Sequence, residues 1–471
     1  MDFRLPAVLN RSCRLDFAVL TYFLMRGILI SAFLSLAIAG IAGCSGGQGS
    51  STTGHGGATS AMQVSMSDSP ADQLLSLELT VNSIVLTSTS GATEGVLPAA
   101  TTVEISHLQA TAQPLSLVTL PQGTYTGATV DISNVAATYV NLSGQIAQAT
   151  FSGTFSVPLT FSPSLVVGSS TVALNLELNL AQSLQTFVPA AFSPVITAAP
   201  ANVGAASQQL EGTGGVHDLT GVVTGVGSAS FTMTASQVAT SLTVDVDSST
   251  QFAGVSGLSG LAAGDIVEID ATTQSDSDAL LASSVQAEAG IKMEAEGVVV
   301  SRTAGSPNSF RIAVQNSAGT GAPSPGTLLT VTADSTTTFI VPSNEADLSG
   351  LSFTPAFSAF ANLQVGQRVE VSTTSDFNSV ATQVQLALQT LRGVTTSQNG
   401  SQYTLVPPDT PVDSAFFLLT GAGSIDFFVQ PTTQLDGLSS IVLSTPLHVR
   451  GLVFFDAPSG RYKLVATRVA P

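Results

Sequence analysis

The chain has 471 residues, of which 44% are hydrophobic and only 9% charged, with a formal net charge of −18. A mean hydropathy of +0.39 is too apolar for a chain disordered throughout, and the length suffices for several domains of ordinary size. No Lys or Arg falls between Arg26 and Lys292, an interval holding seventeen Asp and Glu; a polyanion is held by lysines and arginines that displace its counterions, which excludes nucleic-acid binding for this half and disfavours adhesion to anionic lipid heads.

The first predicted element is an export signal. Residues 27–41 form an apolar stretch behind Arg26 and end in Ile41-Ala42-Gly43-Cys44. A basic start, about 7 to 15 apolar residues and small residues at the cleavage site define such a signal. A second apolar run, residues 17–24, precedes Arg26, so Met25 is the predicted start of the working signal. The alternative is a retained transmembrane anchor, since residues 27–43 reach the lower limit of about 17 for a spanning helix. Small residues ahead of a lone cysteine resemble the lipobox of bacterial lipoproteins. That resemblance implies cleavage before Cys44, lipidation of its thiol and attachment to a membrane, which takes at least two acyl chains to be stable. Ser45, where Asp would signal retention, implies the outer membrane. Residues 1–43 are thus read as signal and residues 44–60 as the lipidated cysteine with a Gly/Ser tether, whose reach as a random chain is roughly 20 to 25 Å. Cys13 lies in the signal, so no thiol is left for a disulfide.

From Met62 the pattern turns to period two. Val172, Leu174, Leu176, Leu178 and Leu180 alternate with Ala173, Asn175, Glu177 and Asn179, the mark of a strand with one buried face. Leu77, Leu79 and Val81 do the same, as do Val130 with Ile132 and Phe155 with Val157 and Leu159. Turn signals at Pro121-Gln122-Gly123 and Asn141-Leu142-Ser143-Gly144 separate the runs, no helical period intervenes, and residues 61–200 read as an all-β sandwich. The opening Ser67-Asp68-Ser69-Pro70-Ala71-Asp72, the strand end Ile84-Val85-Leu86, and Leu120-Pro121-Gln122-Gly123-Thr124-Tyr125 occur in an order that resembles the domain-of-unknown-function 4382 family. The resemblance implies a sandwich and no established activity.

Residues 201–218 read as a linker. Beyond it, Gly221-Val222-Val223 returns as Gly297-Val298-Val299 and as Gly393-Val394-Thr395, distances of 76 and 96 residues. Each is followed by a strand around an aromatic residue: Phe231, Phe310 or Tyr403. Asp247-Ser248-Ser249-Thr250 is echoed by Asp334-Ser335-Thr336-Thr337, with Gln430 in the acid's place in the third unit. Leu261 to Glu268 recurs as Leu363 to Glu370, with Val449-Arg450 as the third trace and Pro446 where glycine is expected. Gly/Pro-rich insertions near residues 319–326 and 342–361 lengthen the second unit. About five glycine-punctuated strands per unit predict three small OB-like β-barrels, residues 219–290, 291–388 and 389–471. The units resemble the domain-of-unknown-function 5666 family. Each is long enough to be a domain, so the array is expected to be beads on a string.

Little in the chain points to chemistry. His55, His107, His217 and His448 stand apart, with no second His or Cys at zinc-ligand spacing. Gly43-Cys44-Ser45-Gly46-Gly47 satisfies G-x-S-x-G in form only, lacking the strand and helix of a nucleophile elbow. Calcium favours loop carboxylates, which makes Asp68 with Asp72, and Asp276 with Asp278, weak candidates without the closing Glu of a full loop. Asp68 before Ser69-Pro70 also fits an Asx-turn. Asp245 and Asp247 share a strand face and could serve an acid-base enzyme, but Trp is absent and only four Tyr lie beyond the signal, which disfavours sugar chemistry. The expectation is a non-enzymatic, lipid-anchored envelope protein of structural or binding type, without cofactor, whose partners are the membrane through Cys44 and an envelope protein or glycan. The alternative is a carbohydrate-binding or adhesion lipoprotein with weak repeated sites.

Overall fold

The computed structural model describes residues 58–69, 73–108, 112–184, 191–203, 214–235, 237–274, 277–287, 290–342, 345–407 and 414–471. Cys44, His55, Asp72 and Asp276 lie outside the described residues. Within them the chain is all-β apart from short helical turns, and no helix is long and apolar enough to cross a membrane.

The first part contains β1 (Thr59–Ser69), β2 (Leu74–Ser88), β3 (Thr93–Gly95), β4 (Thr101–Glu104), β5 (Ala112–Pro121), β6 (Gly123–Val140), β7 (Ile146–Val167), β8 (Val172–Asn179), the one-turn helix α1 (Leu180–Leu184) and β9 (Ile196–Asn202). One sheet runs β5-β1-β8-β9 and the other β3-β2-β6-β7, with β4 also on β2. They share one core: Met62, Val64 and Leu174 face Leu77, Leu79, Val130 and Ile132. The alternation read from residue 172 onward is that of β8, but Leu180 leaves the strand to open α1 while staying buried. Both quoted turns are closed by their own side chains. Tyr125 Oη donates to Pro121 O at 2.9 Å, and Asn141 Oδ1 accepts from Ser143 N and Gln145 N at 3.0 Å each.

The first barrel unit comprises β10 (Gly215–Val226), β11 (Ser230–Ala235), β12 (Leu242–Asp245), β13 (Gln251–Ala253), β14 (Ile266–Thr273) and β15 (Leu280–Ala287). The second comprises β16 (Met293–Thr303), β17 (Asn308–Gly319), β18 (Leu328–Ala333), β19 (Thr338–Ile340), β20 (Arg368–Thr373) and β21 (Gln383–Leu386) in the same spatial order. The third comprises β22 (Gln389–Asn399), β23 (Gln402–Val406), the helix α2 (Ala415–Thr420), β24 (Ile425–Leu435), β25 (Pro446–Asp456) and β26 (Arg461–Ala470). Unit one closes through the parallel pair Val244↔Leu280, and unit three is a closed barrel in which β24 alone takes the places of β12 and β13. In unit two a bridge between Thr332 and Val380 joins the two ends.

The glycine at the head of each unit is fixed by close approach. A Cβ on Gly297 would lie 2.1 Å from Ala313 O, and one on Gly393 2.5 Å from Val406 O. Register corrects the reading of unit three. Gly221, Gly297 and Gly393 pair with Val267, Val369 and Leu447, so the counterpart of Gly264 and Gly366 is Ser444, not Pro446. Ser444 also adopts a positive φ, 63° against 97° and 89° for the glycines, and its N–H bonds Thr395 O as Gly264 and Gly366 bond Val223 and Val299.

The string of beads is not observed, because residues His55–Pro471 form one compact unit. The strands carry second apolar faces: Leu75 and Val140 of the sandwich, Val300 and Ala313 of barrel two, and Ala415 of α2 make one cluster. Barrel three contributes Leu452, Phe454 and Val465 to the core of barrel two. The insertions supply further contacts. Gly326 O accepts from Thr138 Oγ1 of the sandwich at 3.2 Å, and Phe353 stacks near Phe428 and Phe454 of barrel three.

Candidate functional site

The sandwich and all three barrels meet around a small cleft of about 60 Å³. Barrel one brings a β-bulge in β10 between Val216 and Leu219, where Asp218 takes a left-handed φ of 52°. A bulge re-aims side chains, and this one presents His217 and Asp218 to the cleft, joined by Glu268 of β14. Barrel two contributes Glu296, Glu345, Arg368 and Glu370, barrel three Arg450, and the sandwich His107.

Five carboxylates therefore meet two guanidinium groups. Arg450 Nη2 lies 3.1 Å from Asp218 Oδ2. Arg368 Nε lies 2.9 Å from Glu296 Oε1, an ion contact without the alignment of a hydrogen bond, while its Nη1 donates to Leu388 O. Ser372 Oγ approaches Glu370 Oε1 at 3.4 Å. The remaining acids, Glu268 and Glu345, are the two whose ionisation is suppressed. Burial, then the charge of Asp218, pushes Glu345 up to about 8, and burial with the same neighbour raises Glu268 well above the carboxylate range. Beside them, burial raises Asp270, but hydrogen bonds from His217 and Ser284 outweigh it and hold that carboxyl low. The cleft can hold protons and a few small polar groups. Among the described residues no three His, Cys, Asp or Glu side chains converge as metal ligands.

The acids singled out from the sequence occupy other places. Asp68 is a strand residue paired with Leu178 in the parallel β1–β8 ladder, which runs on to Ser69; the residues on which its Asx-turn would close, 70–72, lie outside the described residues. Asp278 is solvent-exposed. Asp245 accepts from Gln274 Nε2 at 2.7 Å, whereas Asp247 Oδ1 accepts from Ser249 N and Oγ. Asp334 Oδ1 repeats this with Thr336. These hydrogen bonds hold both Asp247 and Asp334 below the usual carboxylate range. The same turn carries a threonine clasp in every unit. Thr250, Thr337 and Thr433 accept from the N–H of Asp247, Asp334 and Gln430 and donate to Ala282, Ala381 and Ala466 O. The recurring motif is thereby explained as strand closure, and Gln430 in place of Asp removes the Asx-turn but not the clasp. Phe231 and Phe310 are fully buried in their barrels, and Tyr403 stacks on Phe427. The repeated aromatics are core.

The other histidines have local roles. His107 Nδ1 lies 2.6 Å from Glu104 Oε2, and burial with the nearby Arg392 lowers His448 to about 4. Glu268, Glu345, Arg368 and Arg450 are the junction residues that sequence reading missed. Their signal was scarcity: in a chain with so few bases, an arginine on a barrel strand stands out.

The fold thus defines a β-sandwich followed by three related barrel units, of which the first and third close on themselves. Residues 59–191 match the family model described as Domain of unknown function (DUF4382), and residues 220–286 match that of Domain of unknown function (DUF5666). The order agrees with the resemblances read from the sequence. No curated protein matches the chain.

Proposed function

We propose that the chain is an exported, lipid-anchored cell-envelope protein of structural or binding type, without catalytic activity. The carrying observation is Ile41-Ala42-Gly43-Cys44 at the end of an apolar run: small residues at the cleavage position and a cysteine to receive lipid. That no cysteine follows position 44 supports it, since the Cys44 thiol then has no disulfide partner in the exported body. The non-enzymatic part of the reading draws on the carboxylates of the repeats, which are engaged in closing turns. Ser45 favours the outer membrane over the inner one. In this reading the Gly/Ser segment is the tether and the four packed modules are the working body.

Fractionation of cells expressing the full chain and its Cys44→Ala variant tests the proposal. The wild-type chain is expected in the membrane fraction, with Cys44 as its acylated first residue by mass spectrometry, and the variant in the soluble fraction. Membrane retention of the variant would establish a spanning helix in place of the lipid.

A further inference from the structure

A hollow larger than the charged cleft, about 450 Å³, lies where the sandwich, barrel one and barrel two meet. Its walls include Thr102 of β4, Thr234 and Gln237 of barrel one, and Ser324 and Pro325 from the Gly/Pro insertion of barrel two. On the far side of Pro325 lies a second hollow of about 250 Å³. Volumes of roughly 300 to 1,000 Å³ at module interfaces are those of small-molecule sites.

Glu78 lines both hollows and is the one charged residue in either lining. It lies on β2, directly opposite Glu104 of β4. The two carboxylates are treated very differently. Glu104 is fully buried and saturated: Leu77 N, Ser106 N, Ser106 Oγ and His107 N all donate to it. Glu78 is half-buried, and among the described residues no hydrogen-bond donor or cation reaches its carboxylate. Burial and the charge of Glu104 raise its pKa, as expected for like charges facing each other across a strand pair. No Lys or Arg exists in the 27–291 stretch to answer it. A carboxylate facing an open space of ligand size, with no cation beside it among the described residues, is a seat for a cation.

The lining restricts which cation. One carboxylate among hydroxyls falls short of the six to eight oxygens that calcium takes, and no aromatic ring lines the hollow to cage a quaternary ammonium. We propose that this cavity binds a small organic cation bearing N–H donors, a primary amine whose ammonium sits on Glu78 and whose second N–H-bearing end lies among the hydroxyls of Thr102, Thr234 and Ser324. The net charge of −18 raises the local concentration of such cations around the mouth. The inference goes beyond the proposed function and does not depend on how the chain is anchored.

Calorimetric titration of the purified full chain with 1,4-diaminobutane tests it, in about 150 mM salt, where the screening length is ~8 Å and diffuse attraction is damped. One saturating equivalent is expected, with no heat from the neutral 1,4-butanediol and at least tenfold weaker binding of tetramethylammonium. Glu78→Gln should weaken diaminobutane at least tenfold while leaving the melting temperature at or above that of the wild type. Asp278→Asn, which removes a solvent-exposed carboxylate of barrel one outside both hollows, should leave binding unchanged. No saturable binding by the wild-type chain would overturn the proposal. So would binding that survives Glu78→Gln, or that weakens equally with Asp278→Asn, either of which marks attraction to acidic surface in general.

Discussion

Asp218 and Arg450 are joined at 3.1 Å across 232 residues of sequence. The pair fastens the first barrel to the third, and gives an acidic half that lacks bases of its own a guanidinium from the far end of the chain. It is half open to solvent on the Asp218 side, so its strength is that of a screened pair.

A double-mutant cycle with Asp218→Asn and Arg450→Met should therefore yield a coupling of about 0.5 to 1 kcal/mol, falling as salt is raised. Urea melts at low and high ionic strength read it. Strict additivity of the two single variants would mean that the contact carries no stability.

Glu345, raised to about 8, sets a pH dependence of its own. The packed junction keeps the proton on this acid, and an unpacked chain releases it in the ordinary carboxylate range. Stability from this group is full below that range and is lost as pH rises toward 8, by up to about 1.4 kcal/mol per pH unit. Asp270, Asp247 and Asp334 are held low and act oppositely, their contribution disappearing as pH falls below the carboxylate range. Melting temperature should be highest near the top of the usual carboxylate range and decline toward pH 9. In Glu345→Gln the alkaline decline should flatten, and wild-type and variant curves that run parallel would refute the assignment.

The threonine clasp predicts sensitivity of one kind in three places. Thr250→Val, Thr337→Val and Thr433→Val each leave a turn N–H and a strand carbonyl without their partner, which costs about 1 to 3 kcal/mol when buried. Thr337, only 9% exposed, should show the largest loss in chemical denaturation. Thr433 should fall in the same range as the others even though its turn lacks the aspartate.

Ser444 holds a positive φ where the other two barrels hold glycine. A left-handed conformation costs a non-glycine residue roughly 1 to 2 kcal/mol, partly offset by the chain entropy that glycine loses on folding. Ser444→Gly should raise stability by up to about 1 kcal/mol, whereas Gly297→Ala, with its Cβ at 2.1 Å from a carbonyl oxygen, should lower it severely. Thermal melts of the two variants should move in opposite directions.

Period-two alternation made β2, β6 and β8 readable, since Leu77, Val130 and Leu174 each face one core. The repeated glycines were readable for the same local reason, backbone crowding at Gly221, Gly297 and Gly393. Helix α2 was not: Ala415 to Thr420 is too short a run for periodicity to separate helix from strand, and its stop at Gly421, φ 64°, is a tertiary fact. The packing of the modules escaped because Leu75, Val300 and Ala313 read as minor irregularities in single strands, and only their meeting makes a cluster. The charged cleft escaped for a related reason. Its acids belong to different modules, and no spacing along the chain brings Asp218 to Arg450.

That bridge also imposes a schedule. Asp218 precedes Arg450 by 232 residues, so the first barrel can form from its own segment well before the third is complete. Until the third barrel has folded, the first carries its bulged, acidic edge with no countercharge from Arg450, so the four-way junction is assembled last. The site at the centre of the molecule thereby reports that the final barrel has been made and has docked.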